Sequence, residues 1–183
     1  MLVKIFIEYL KYELTKNIFK HILTISKMII YFLEDGDYML LDYLVKNYEK
    51  GEPIFLADIS IEGMSEENIR YHLKKLTDAG VICRFEAGIY YLPKKNIFGE
   101  NSVISAETVA THKYILRQGK RVGFYSGYTL ANRLGLSTQM PFKEEIISNY
   151  APALVREVSI KNRKYVIRKP VVEVTEENAY VLQ

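Results

Sequence analysis

Few residues in this chain have both the type and the spacing to do chemistry. Cys83 is the single cysteine of 183 residues, so an internal disulfide and a thiolate metal cage are both ruled out. It falls in a predicted strand with no neighbouring histidine to act as its base. His21, His72 and His112 are far apart, and no two have metal-ligand spacing. Ser126 stands in Tyr-Ser-Gly and not in the Gly-x-Ser-x-Gly elbow. Gly119, Gly123 and Gly127 recur every four residues, which matches neither a dinucleotide fingerprint nor a phosphate loop. Glu144-Glu145 and Glu176-Glu177 are adjacent acids; on a strand such neighbours face opposite ways and cannot form a catalytic pair. The inventory predicts a protein that is not an enzyme and has no metal or cofactor.

Binding chemistry is better represented, through charge. The formal net charge is only +3, but it is segregated. Residues 37–64 sum to −4, residues 65–95 to +2 and residues 111–170 to +9. A field of that kind favours acidic or polyanionic partners. Apolar residues make up 49 % of the chain, enough for a core and too many for global disorder. The lone cysteine fits a reducing, cytoplasmic compartment.

The elements that must position this charge begin with an apolar segment. Leu2, Ile5, Phe6, Tyr9, Leu10 and Leu14, then Ile18, Ile22, Ile25 and Ile29, recur at three-to-four spacing and predict one or two amphipathic helices. A membrane span needs about 18 nearly uncharged residues, and Lys20 and Lys27 interrupt the run. Glu8, Lys11 and Glu13 break it as a signal peptide. Residues 1–36 are therefore expected to be a helical extension, packed on the body or on a second copy of the chain.

Glu34-Asp35-Gly36-Asp37 reads as an acidic turn, followed by a helix over Tyr38–Tyr48 that ends near Gly51. Ile54–Leu56 suits a short strand, and Leu56–Ile59 a single helical turn. Ser65 then caps the best-defined helix, with Glu66 and Glu67 favourably placed against its dipole. Ile69, Leu73 and Leu76 form its inward stripe with His72 beside them, Tyr71, Lys74, Lys75 and Asp78 face outward, and Gly80 stops it. Val81–Phe85 and Ile89–Leu92 predict a hairpin around Glu86-Ala87-Gly88. Helix, strand, helical turn, capped helix and two-stranded ribbon is the order of a winged helix-turn-helix, expected over residues 37–95.

Residues 96–183 read as a second, small mixed α+β domain, which makes the whole chain α+β. Ser105 caps a helix over Ala106–Leu116 that Gly119 ends, and Arg121–Tyr125 is a strand. Ser126 caps a helix over Tyr128–Leu134, with Leu130 and Leu134 packed inward. Phe142–Ser148, Val155–Ile160 and Lys164–Arg168 are strands, and Thr175 opens a last helix.

One string is unusually specific: Phe124-Tyr125-Ser126-Gly127-Tyr128-Thr129-Leu130-Ala131-Asn132-Arg133-Leu134-Gly135-Leu136-Ser137-Thr138-Gln139-Met140-Pro141. Together with Ile89-Tyr90-Tyr91-Leu92-Pro93-Lys94 before it and Arg168-Lys169-Pro170 after it, the chain from about Tyr38 to Gln183 resembles the AbiEi-type antitoxins of type IV toxin–antitoxin, or abortive infection, phage-resistance systems. The resemblance implies an N-terminal winged helix that binds operator DNA and represses its own operon. It also implies a C-terminal antitoxin domain that counteracts a nucleotidyltransferase toxin without an obligatory stable complex. By position, DNA contacts are expected at Ser65, Asn68, Arg70, Tyr71, Lys74, Lys75, Arg84 and Tyr91. Antitoxicity is expected on the basic face of Lys113, Arg117, Lys120, Arg121, Arg133, Arg156, Lys161, Arg163, Lys164, Arg168 and Lys169. Relatives of this kind continue past the position of Gln183 and lack a counterpart of residues 1–36, so a shortened C-terminal domain is expected here.

Two other readings come from the residues themselves. The winged helix could serve as a protein-docking module, its basic partner domain meeting an acidic protein. Alternatively, the surplus of Tyr and Arg could stack on unpaired RNA bases. A homo-oligomer, paired through the apolar N-terminal helices, would suit a palindromic operator; no membrane partner is expected.

Overall fold

The structure is a computed structural model that describes residues 34–97 and 99–182. The expected amphipathic helices of residues 1–33 lie outside the described residues. The fold is α+β: five α-helices and several small sheets among the described residues. It divides into two compact units, residues 34–47 with 60–82 and residues 48–59 with 83–182 in their described parts.

The first unit is a helix pair, α1 (Asp35–Asn47) and α2 (Glu66–Asp78). The acidic residues 34–37 are not a separate turn before α1, as the sequence suggested. Asp35 and Asp37 lie in its first turn, where they complement the helix dipole, and Asp37 Oδ2 accepts the Glu34 N–H at 2.8 Å. In α2 the expected cap is present: Ser65 Oγ accepts the Asn68 N–H at 3.3 Å. Ile69, Leu73 and Leu76 are buried with His72 at the predicted spacing, and Leu40 and Leu44 supply the buried positions of α1. The Val81 and Ile82 N–H groups both donate to Leu76 O, so these residues close α2 instead of starting the following strand.

The second unit starts with β1 (Pro53–Phe55) and a single 3-10 turn over Leu56–Asp58. The hairpin β2 (Cys83–Glu86) and β3 (Ile89–Tyr91) joins β1 in a three-stranded antiparallel sheet with β3 in the middle, Ile54 opposite Tyr90. A bulge between Arg84 and Glu86 twists the outer strand. Two-residue strands β4 (Lys94–Lys95) and β5 (Asn101–Ser102) then lead to α3 (Ala106–Tyr114), whose Ser105 cap accepts the Thr108 N–H at 3.0 Å.

This helix stops at Tyr114, short of the expected Leu116. β6 (Leu116–Arg117) and β7 (Lys120–Arg121) form a tight hairpin whose two loop residues, Gln118 (φ 50°) and Gly119 (φ 74°), both take positive φ. That turn suits the right-handed strand twist, so Gly119 serves a hairpin and not a helix end. β8 (Gly123–Tyr125), α4 (Gly127–Arg133), β9 (Glu144–Ser148), β10 (Val155–Ile160), β11 (Arg163–Arg168) and the short α5 (Ala179–Leu182) complete the chain. The four longer strands form one sheet in the order β10-β11-β9-β8, with β9 and β11 parallel and the outer pairs antiparallel.

α4 does not bury the face that was expected. Leu134 is 63 % exposed and Thr129 is buried instead, its Oγ1 accepting the Glu145 N–H at 2.8 Å and tying the helix to β9. Ser126 stands at the N-cap without a side-chain cap bond.

Phe85, Ile89 and Tyr91 from the hairpin share one core with Val109, Ala110, Tyr114, Ile146, Tyr165 and Ile167. Phe124, Val174 and Ala179 form a smaller cluster. The hairpin expected to belong with the N-terminal reader thus buries its side chains among the C-terminal elements. Within the core, Tyr165 is fully buried and its hydroxyl has no hydrogen-bond partner among the described residues. Burial pushes this phenol well above its ordinary pKa. An unsatisfied buried hydroxyl costs about 1–3 kcal/mol, so Tyr165→Phe is expected to stabilise the protein by about 1 kcal/mol, read as an increased urea midpoint at unchanged slope.

Candidate nucleic-acid interface

The outer face of α2 is set by the burial of its inner stripe. With Ile69, His72, Leu73 and Leu76 turned inward, Asn68, Arg70, Tyr71 and Lys74 are left exposed on a well-capped, rigid helix. Arg70 forms an i,i+4 pair with Glu66, which leaves its guanidinium at the surface. Glu67 and Asp78 share the exposed side and dilute its charge.

Lys75, expected on the same face, is tied up in a different role. Its ammonium lies 3.0 Å from Asp37 Oδ2 and 3.0 Å from Glu34 Oε1. Asp37 is fully buried, and its Oδ1 lies 2.7 Å from His72 Nδ1. Burial alone would raise the Asp37 carboxyl, but the Glu34 N–H, the His72 ring and the Lys75 ammonium outweigh it and hold the group below its usual value. The same bonds to Asp37 and Glu34 raise the Lys75 ammonium above the usual lysine value. Glu34, Asp37 and His72 each place a ligand atom within 4.8 Å of the others. Lys75 already supplies a cation to both carboxylates there.

The hairpin contributes less than expected. Arg84 is exposed and its Nε–H donates to Glu86 O at 3.3 Å. Tyr91 is only 4 % exposed and belongs to the core, which leaves it no surface for the expected DNA contact: every residue of this central strand is buried. Cys83 begins β2, and its Sγ is 4.0 Å from Asn101 Nδ2.

The eleven cations of the expected basic face split into two groups. Arg133 and Arg163 interlock with Glu107 and Glu144 at 2.7–3.5 Å, and the Arg133 guanidinium lies 3.7 Å over the Tyr125 ring. Arg117 pairs with Asp58, Arg168 lies 3.7 Å from Glu145, and Arg121 is 3.9 Å from Glu176 and stacked on Tyr180. Lys113, Lys120, Arg156, Lys161, Lys164 and Lys169 have no acid within ion-pair distance among the described residues. Lys161 covers Phe85 and Lys164 lies over Phe142. The +9 of the sequence is therefore reduced locally to six cations without a carboxylate partner.

Lys113 and Arg156 line a cavity of about 330 Å³ in the second unit with Arg117, Tyr114, Tyr150, Pro152 and Val158. Burial, reinforced by the Arg117 charge, holds Lys113 below the ordinary lysine value against the weaker pull of Glu86. Sequence reasoning placed these cations on a basic face and missed both the recess and Tyr150, whose ring stacks under Arg117 at 4.5 Å. A tyrosine following a strand and a turn carries no signal for that role.

No helix among the described residues is long and apolar enough to cross a membrane. No curated protein matches the chain. A match to DUF6088, described as a family of unknown function, covers residues 41–177, from within α1 to just before α5. With well over half of its 183 residues in that match, the chain belongs to the DUF6088 family.

Proposed function

We propose that this protein is a cytoplasmic winged helix-turn-helix regulator that binds operator DNA through α2 and acts as the antitoxin to a nucleotidyltransferase toxin encoded beside it. The observation that carries the DNA reading is the exposed face of α2. Its Asn68, Arg70, Tyr71 and Lys74 offer base-edge and phosphate donors on a helix whose opposite side is fixed by burial. The element order of α1, β1, the 3-10 turn, α2 and the hairpin supports the winged-helix reading. The antitoxin role rests on the resemblance of residues 124–141 and their flanks to AbiEi-type proteins, with the unpaired cations of the second unit as its acting surface.

Binding of labelled fragments from the chain's own promoter, measured across salt, tests the DNA role. The wild-type protein is expected to retain promoter preference, with log affinity falling by about 0.9 per phosphate contact for each unit of log salt. Lys74→Glu combined with Tyr71→Phe, which keeps the ring against His72 and Lys75, is expected to cost at least tenfold in affinity at unchanged thermal stability. Lys75 is unsuitable for this purpose because its replacement would disturb Asp37. Equal affinity for promoter and unrelated duplex would sink the reading. Rescue of growth when the neighbouring reading frame is co-expressed tests the antitoxin role.

A second reading, docking to a protein, is favoured by a separate observation. Leu134, Leu136, Met140 and Phe142 are 63–85 % exposed along one loop, and a docking module would keep its activity in the α2 double variant.

A further inference from the structure

The recess lined by Lys113, Arg117 and Arg156 has the makings of a ligand site. Its three cations come from three separate elements, the last turn of α3, β6 and β10, and converge on one cavity of about 330 Å³. That volume lies in the range of small-molecule sites. The positive charge is poorly balanced: Arg117 has Asp58, while Lys113 and Arg156 have no acid within ion-pair distance among the described residues. The depressed Lys113 ammonium reports the same imbalance, since burial and the Arg117 charge both act against it. An anion in the recess would relieve both effects.

The arrangement also selects among anions. A single carboxylate is satisfied by one forked arginine, and Arg117 already has that partner in Asp58. Cations carried by three separate elements suit a dianion with several oxygens better than a single carboxylate. Beside them, Tyr150 is half exposed and carries the Arg117 guanidinium on its ring at 4.5 Å, a flat surface on which a base can stack. We infer that this recess binds the phosphate of a nucleotide, with Lys113 and Arg156 on the phosphate and the Tyr150–Arg117 stack beside the base. The inference does not depend on whether α2 reads DNA.

Two sources present that chemistry, a free mononucleotide and the 5′-phosphorylated end of a strand. Isothermal titration of the full chain with 5′-AMP, inorganic phosphate, adenosine, and a short single strand bearing either a 5′-phosphate or a 5′-hydroxyl separates them. Saturable one-to-one binding of 5′-AMP, at least tenfold tighter than adenosine, is the expected result. Preference for the 5′-phosphorylated strand over both 5′-AMP and the hydroxyl strand would assign the site to strand ends and equally support a phosphate site. Arg156→Gln, an exposed change that leaves the fold intact, and Lys113→Gln are each expected to weaken the bound ligand at least tenfold. Lys95→Gln, on the exposed β4, is expected to change nothing. No binding of any phosphate probe up to millimolar concentration overturns the proposal, as does equal binding of 5′-AMP and adenosine. Wild-type affinity in Arg156→Gln at an unchanged melting temperature overturns it too.

Discussion

Asp37→Ala is expected to lower the stability of the protein by about 3 kcal/mol. Removing one member of a buried ion pair costs about 3–5 kcal/mol, because the remaining charge is stranded. Here the carboxylate is fully buried and serves three partners: the Glu34 N–H, the His72 ring and the Lys75 ammonium. The Lys75 side chain is 25 % exposed and can rehydrate in part, which places the cost at the low end of that range. For a chain of this length such a loss corresponds to a fall in melting temperature of roughly 6–12 °C. Asp37→Ala with Lys75→Met should be less damaging than the sum of the two single changes, since no unpaired cation is then left behind. Additivity of the two would show that the pair does not interact in the way the 3.0 Å contact requires. Because His72 and Lys75 both lie on α2, loss of promoter binding in Asp37→Ala would report the fold and not a DNA contact.

The same network fixes the pH dependence. The folded-state value of Asp37 is depressed, so its stabilisation is complete above the ordinary carboxylate value of about 3.8 and is lost as pH falls below it. Lys75 is shifted the opposite way. Its contribution is fully present below about 10.5 and is lost only as pH rises past that value through its raised folded-state pKa. Urea titrations should therefore show the Asp37-dependent part of stability constant through neutral pH and falling only in acid below about pH 4. In Asp37→Ala that acid step should shrink.

Features fixed by local spacing were legible in the sequence. The Ser65 and Ser105 caps and the Ile69–Leu73–Leu76 stripe are decided within a few residues and were found as read, while the β10–β11 hairpin is present with its second strand starting one residue earlier, at Arg163. The errors lie where a distant partner decides. Periodicity put Leu134 inside, but α4 spans only seven residues, and the Thr129 bond to the Glu145 backbone chooses which face is buried. Tyr91 was assigned to DNA by position in the resemblance, whereas β3 is the central strand of its sheet and all three of its residues are buried. The basic block was countable residue by residue. Its partial neutralisation was not, because Glu107 reaches Arg133 across a sequence separation of 26. The recess of Lys113, Arg117 and Arg156 was hidden for the same reason: its members are brought together by α3, β6 and β10, not by sequence.

Gly123 stands in the four-residue glycine series that resembles no phosphate loop, and its purpose is close approach. A Cβ there would run into the backbone oxygens of Tyr114 and Ile147, one at the end of α3 and one on β9. Neither can swing aside as a flexible side chain could. The neighbouring backbone is pinned on both sides, since the Val122 N–H donates to Ile115 O at 2.7 Å and the Asn149 N–H donates to Val122 O at 2.9 Å. Gly123→Ala is therefore expected to cost about 3 kcal/mol, the upper end of the overpacking range, because relief requires moving α3 away from β8 and β9. Gly119→Ala is the matched control: it meets no neighbour within 4 Å and pays only for its positive φ, about 1–2 kcal/mol. Thermal melts followed by circular dichroism should rank the two clearly. Equal losses would mean that the sheet and helix can part at Gly123 without strain, contrary to the hydrogen bonds that hold them. Tyr114 also lines the cationic recess, so any Gly123→Ala protein that does fold should bind 5′-AMP more weakly than Gly119→Ala.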